Sequence, residues 1–280
     1  MKTTEIIKDA FSFPSKKPGR FAIYLLLTVF WVFFAIGGII TYELGFINSE
    51  NYLLGGIYVL FSLLIGIILS GYHISVIKSG IEREDEFPVF KWFENFITGF
   101  DSTIVALFYY MIPTIIVAIV GYDTNVYGNA MAVVGEFFYQ LFNVYIMGNS
   151  INVAIKAISH TIDNLTNSLI ITFTVACILF IIFTILQFIA QARLANTGSI
   201  NEALNIFESA KDIGKIGVGK VIMLFVLILF ILSIIEIILI NLINIFPLFI
   251  FLVITFYILV TPYFILVTPR AIGLLYSDIA

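Results

Sequence analysis

Few side chains in this sequence could do chemistry, and most lie far apart along the chain. Glu236 is the only acidic residue inside a long apolar run, ILSIIEIILI, with Ser233 and Asn244 on its helical face. A charge among alkyl groups in a bilayer costs about 2.5–3.5 kcal/mol on insertion scales. Such a carboxylate faces a cavity, pairs, takes a proton, or snorkels to the headgroups. If its helix opens near Val218, Glu236 lies roughly 27 Å along an axis rising about 1.5 Å per residue, close to the far boundary of the hydrocarbon. Glu236, Ser233 and Asn244 are therefore the candidate intramembrane polar residues, and Gln187 and Gln191 add amides to another apolar run.

A second set of residues has the chemistry of docking. The stretch EFPVFKWFENFITGF carries Phe90, Trp92, Phe93, Phe96 and Phe100, and Glu82, Glu84, Asp85 and Glu86 crowd its start. The aromatic spacing predicts a short amphipathic helix around Pro88–Phe100, with acidic residues at its positive dipole end. It would anchor the chain at headgroup level or receive a partner.

The other reactive residue types lead to no site. His73 and His160 fall at opposite ends of the predicted bundle and cannot share a metal; His73, beside Tyr72 and not far from Lys78, is expected to be solvated or interfacial. Cys177 is the single cysteine, which excludes a disulfide or thiolate metal site within one chain. There is no HExxH, GxSxG, P-loop or dinucleotide-binding glycine pattern. The sequence therefore predicts no catalytic residues, no cofactor, no metal and no nucleic-acid partner. Asn164-Leu165-Thr166 matches a glycosylation acceptor but sits against an apolar run.

The elements that must position these residues are helices in lipid. Hydrophobic residues make up 61% of the chain and charged residues 11%, against about 25% charged in an average globular protein. Six apolar runs have the length of a membrane span: about Phe21–Tyr42, Leu53–Ile77, Ser102–Gly121, Ser168–Gln191, Val218–Ile243 and Leu248–Val267. Gly55, Gly56, Gly66 and Gly71 in the second run permit close helix approach. Pro113 and Pro262 fall inside the third and sixth, and Pro247 marks the turn into the sixth.

Residues 3–13 read as an interfacial helix, and the 22-residue run after them as a retained first span, since no small-residue cleavage site fits a signal peptide. Residues 122–167 predict two amphipathic helices rather than a plain loop. Ser199-Ile200-Asn201-Glu202 predicts a capping box opening a helix that stops near Gly214. The fold class is thus an all-α membrane protein: six transmembrane helices, amphipathic helices on the cytoplasmic face and a helical outer connection, in one domain over 1–280.

Thirteen of the fourteen basic residues fall on one side of six spans, Lys156 being the exception. The positive-inside rule then puts both termini in the cytoplasm of a multi-pass plasma-membrane protein. A shift of 114 residues lays Phe93-Glu94 on Phe207-Glu208 and Asp85 on Ser199. This order of elements reads as a parallel internal repeat, with units 53–121 and 168–243.

Gly71, Glu86-Phe87-Pro88-Val89-Phe90-Lys91-Trp92, Phe96, Gly99, Tyr109-Tyr110-Met111-Ile112-Pro113, Phe256-Tyr257 and Arg270-Ala271 together form a pattern over nearly the whole chain. That pattern resembles an archaeal, methanogen-type integral-membrane domain of unknown function, number four thousand and thirteen. More loosely, the layout is similar to the membrane-anchor domains of some glycerophosphodiester phosphodiesterases. The resemblance implies a helical bundle in an archaeal plasma membrane and brings no assigned site residues. The function expected first is a structural or partner-binding component, in contact with membrane lipids and with a protein partner in the membrane or at its cytoplasmic face. The alternative is a transporter or lipid-handling protein with a polar path that includes Glu236. An intramembrane enzyme would need two convergent reactive groups, and none can be named. A polar cavity in the bundle would favour the alternative, and a tightly filled interior the first reading.

Overall fold

An apolar chain in lipid must satisfy its backbone internally, and helices do so within one segment. The computed structural model describes residues 1–45, 50–245 and 250–280. Its elements are α1 (Thr3–Ser12), a 3-10 turn (Phe13–Ser15), α2 (Pro18–Gly45), α3 (Glu50–Ile81), α4 (Trp92–Asp123), α5 (Val126–Tyr145), α6 (Ile151–Thr197), α7 (Ile200–Ala203), α8 (Ile206–Ile216), α9 (Val218–Ile245) and α10 (Ile250–Tyr276). Six helices are long and apolar enough to cross a membrane, and the described residues contain no strand. The turn expected at Pro247 lies outside the described residues.

Three boundaries differ from the sequence reading, each for a local reason. No separate aromatic helix forms around Pro88–Phe100: α4 begins at Trp92 and runs unbroken to Asp123, with Phe90 in the non-helical lead-in. The hydroxyls of Thr98 and Thr103 donate to carbonyls four residues back, so neither competes with the helix at this point. The second amphipathic stretch of 122–167 is likewise not separate. It continues into the fourth span as α6, 47 residues without a glycine or proline to break them. The helix opened by Ser199, by contrast, divides. Ser199 caps the amide of Glu202 at 3.5 Å, Asn205 caps that of Glu208 at 3.2 Å, and Gly217, at φ +100°, closes α8 three residues beyond Gly214. The Glu202 carboxylate does not complete the capping box; it accepts from Arg193 at 2.6 Å.

The chain forms two compact units, Met1–Ala106 with Leu186–Ala280, and Leu107–Ile185. In the first, helices touch where glycine permits. A Cβ on Gly71 would lie 1.8 Å from the Asn95 carbonyl oxygen, and one on Gly99 1.8 Å from that of Ile67. On Gly273 it would lie 2.1 Å from the Ile77 carbonyl oxygen. The α3–α4 and α3–α10 crossings therefore bring backbone against backbone. Gly55 and Gly66 also meet α2, at Thr41 and Trp31, whereas Gly56 faces open space.

The aromatic core of this unit joins Phe13, Tyr24, Tyr72 and Phe87. Phe87, from the non-helical lead-in, is wholly buried and stacks on Phe13 at 5.1 Å, while the Tyr72 hydroxyl donates to the Pro88 carbonyl at 3.0 Å. Arg270 lies 4.2 Å over the Phe13 ring and donates to Asp9 at 2.8 Å, which ties α1 to α10.

In the second unit α5 folds back along the first half of α6. Asn129 donates to Ser168 at 2.6 Å, and the Thr124 and Thr172 hydroxyls share a hydrogen bond at 2.9 Å. Further along, Phe137, Leu141 and Tyr145 face Ala154, Ile155 and Ile158 across a shallow groove.

The 114-residue shift has a structural counterpart at two helix starts. Phe93 and Phe207 are both exposed second residues of their helices, 76% and 81%. The next residues, Glu94 and Glu208, each pair with a lysine, Lys91 and Lys211. Asn95 and Ser209, which follow, are both buried. Asp85 has no such counterpart: it caps no helix and pairs with Lys16.

Candidate functional site

The candidate site is a partly open cavity of about 390 Å³ lined by residues of α3, α6, α9 and α10, all within the first unit. Its polar lining is His73, Gln191, Glu236, Thr261 and Thr268; its apolar lining includes Phe188, Leu232, Ile235, Phe264 and Ile272. On α10 the lining runs from Val260 to Ile272, roughly 18 Å at about 1.5 Å per residue. The slot therefore covers more than half of a hydrocarbon layer about 30 Å thick.

Each polar group is held differently. The ring Nε2 of His73 shares a hydrogen bond with the Tyr24 hydroxyl at 2.8 Å. Gln191 donates its amide to Ser102 at 3.3 Å, and Ser70 donates to the same hydroxyl at 3.0 Å, so the Gln191 carbonyl oxygen keeps its accepting capacity. Glu236 lines the cavity yet is exposed, which puts it at the open edge, and it makes no ion pair or hydrogen bond among the described residues. Pro269 has no amide proton for the carbonyl of Ile265, itself a lining residue, so α10 lacks one helical hydrogen bond beside the cavity.

The predicted polar set is only partly assembled here. Leu232, Ile235 and Glu236 turn one face of α9 to the cavity, whereas Ser233 is exposed outside it. The side chain of Asn244 lies outside the described part of the structure. Gln191 lines the cavity; Gln187 is buried without lining it. His73 is half-buried and faces Tyr24 and the cavity, because α2 packs along α3. Thr261 and Thr268 were missed by the sequence reading, although a signal exists. The tetrapeptide Leu-Val-Thr-Pro occurs twice, ending at Pro262 and Pro269, and a spacing of seven returns both threonines to one helix face.

The docking set also divides. Phe90 is half-buried and stacks on Tyr72 at 4.9 Å, and Phe96 is half-buried. Trp92, Phe93 and Phe100 remain exposed, and Ile97 continues their stripe.

A second polar cluster ties α8 to the ends of α6 and α10. Asp212, almost wholly buried, accepts from Arg193 at 2.5 Å, Tyr276 at 2.8 Å and Lys215 at 2.9 Å. Burial pushes its carboxyl up, but the hydrogen bonds from Lys215, Arg193 and Tyr276 outweigh that and hold it below the ordinary carboxylate range. Asp9 behaves alike: burial raises its carboxyl, and bonds from Arg270 and Lys16 bring it lower. Each charged group in these clusters has an oppositely charged partner, which makes them fasteners rather than sites.

No curated protein and no solved structure matches the chain. A family model does match, over residues 54–245, a stretch that contains His73, Gln191 and Glu236. The chain therefore belongs to the family described as "Protein of unknown function (DUF4013)".

Proposed function

We propose that this multi-pass membrane protein is a lipid-handling or transport protein that holds an apolar-bodied molecule in the cavity between α3, α6, α9 and α10. The observation that carries the reading is that Glu236, the only acidic side chain in its apolar run, lines that cavity together with His73 and Gln191. A volume of about 390 Å³ falls within the range of roughly 300–1,000 Å³ typical of small-molecule sites. Its mixture of mostly apolar wall and a few polar groups is also typical. The reading is one of binding rather than catalysis, since His73 and Gln191 are engaged with Tyr24 and Ser102. The basic-residue distribution supports cytoplasmic termini in a plasma membrane, which would turn the Glu236 edge toward the outer leaflet.

Native mass spectrometry of the protein released from membranes tests the reading. Wild type is expected to retain a small apolar-bodied molecule, and Ile235→Trp, which fills the cavity, to lose it while keeping its helical circular dichroism. Equal retention by both would contradict the reading.

A structural or docking role keeps one specific support, the stripe of Phe93, Ile97 and Phe100 with Trp92 beside it. Such a stripe suits the headgroup layer and adds an anchor to the cavity protein without replacing its function.

A further inference from the structure

Resting on the reading of the cavity as a ligand site, we infer that its ligand is a lipophilic amine: a protonated ammonium head on an apolar body. The inference follows from the lining groups. Among the described residues Glu236 is the one carboxylate in the wall, and the wall contains no lysine or arginine. His73 is engaged with the Tyr24 hydroxyl, and the remaining polar groups there are uncharged and able to accept: the Gln191 carbonyl oxygen, the hydroxyls of Thr261 and Thr268, and the carbonyl of Ile265 that Pro269 leaves without an amide. At the open edge of an apolar slot Glu236 has no counter-charge among the described residues, and a cationic ligand head supplies one. The rings of Phe188 and Phe264 line the same wall, and aromatic rings attract a cation.

An anionic head would meet Glu236 with like charge and, among the described lining residues, no lysine or arginine to offset it, only neutral donors such as the hydroxyls of Thr261 and Thr268. A bare inorganic cation would find one carboxylate where hard cations take six or more oxygens, and an apolar wall that does nothing for it. A slot roughly 18 Å long, apolar between its polar groups, instead suits a chain or ring body behind the ammonium. That head could belong to an aminolipid of the bilayer or to a free amine.

Fluorescence anisotropy in nanodiscs of phosphatidylcholine tests this with three dansyl probes that differ only in the head: a primary alkylammonium, an alcohol and a carboxylate. Protein-free discs give the partitioning baseline. Wild type is expected to bind the ammonium probe at least about tenfold more tightly than the alcohol, the worth of one charge-assisted hydrogen bond. Glu236→Gln should abolish that preference, and Glu236→Asp should keep part of it. Adding phosphatidylethanolamine to the discs then separates the sources. Competition with the probe points to an aminolipid, its absence to a free amine, and both agree with a cationic head. Equal binding of ammonium and alcohol by wild type, with both lost in Thr261→Trp, would overturn the cationic head and leave the cavity reading intact. Binding of none of the three probes would overturn the cavity reading and this inference with it.

Discussion

At the scale of single residues, the carboxylates of Asp212 and Asp9 are matched within the chain, whereas Glu236 makes no ion pair or hydrogen bond among the described residues. Asp212 shows what matching does. Arg193 is about one-tenth exposed and Asp212 less, so removing the carboxylate leaves a largely buried guanidinium with only Glu202 beside it. Breaking a buried pair in this way costs on the order of 3–5 kcal/mol, and Asp212→Asn is expected to lower the thermal unfolding temperature in detergent clearly. The pH dependence has a definite sign. Because the folded carboxyls of Asp212 and Asp9 titrate below their unfolded value of 3.8, their contribution is fully present above that pH. It is lost as pH falls through the lower, folded values. Thermal scans should therefore be flat on this account from neutral pH down to about 5 and fall off only in stronger acid, with a shallower fall in Asp212→Asn. A steeper fall in the variant, or a loss of wild-type stability near pH 7, would count against these pairings.

At the scale of elements, the type of each helix was legible and several ends were not. Apolar length and period identify a helix whatever follows it. Changes of composition, however, do not end one. The polar residues Lys156, His160 and Asp163 marked a boundary in the sequence that the backbone of α6 ignores, because nothing between Ile151 and Thr197 removes an amide or relaxes φ. Asn205 and Gly217 do break the chain, the first by capping and the second by its positive φ. Phe87 was illegible as a core residue for the related reason that its burial depends on Phe13 and Tyr72, which reach it from other segments. The continuity of α6 can be measured. Spin labels at the exposed positions Val153 and Ile181 stand 28 residues apart, about 42 Å along a continuous helix. Pulsed dipolar spectroscopy should return one narrow distribution near that value. A broad distribution centred well below it would restore the separate amphipathic helix.

At the scale of the whole molecule, six spans could be read from one chain because each depends on local composition, and Glu236 stood out from its apolar run for the same reason. The cavity could not. Its members come from four helices, and the partners that set their roles, Tyr24 for His73 and Ser102 for Gln191, lie 49 and 89 residues away. Orientation rests on charge distribution alone, and single cysteines in a Cys177-free background check it. Position 84, which is exposed, should resist an impermeant reagent added from outside while position 125 reacts; labelling at 84 from outside would reverse the topology.

The central claim is that the space beside Glu236 holds an apolar-bodied molecule, and photolabelling in the bilayer reaches it most directly. A long-chain alcohol bearing a diazirine, which probes the cavity independently of any charge on the ligand, should modify peptides spanning Phe188–Gln191, Leu232–Glu236 and Val260–Ile272 above the general lipid-facing background. Ile235→Trp should remove that excess and leave the background unchanged. Labelling spread evenly over the exposed faces of all six spans, unaltered by Ile235→Trp, would contradict the account.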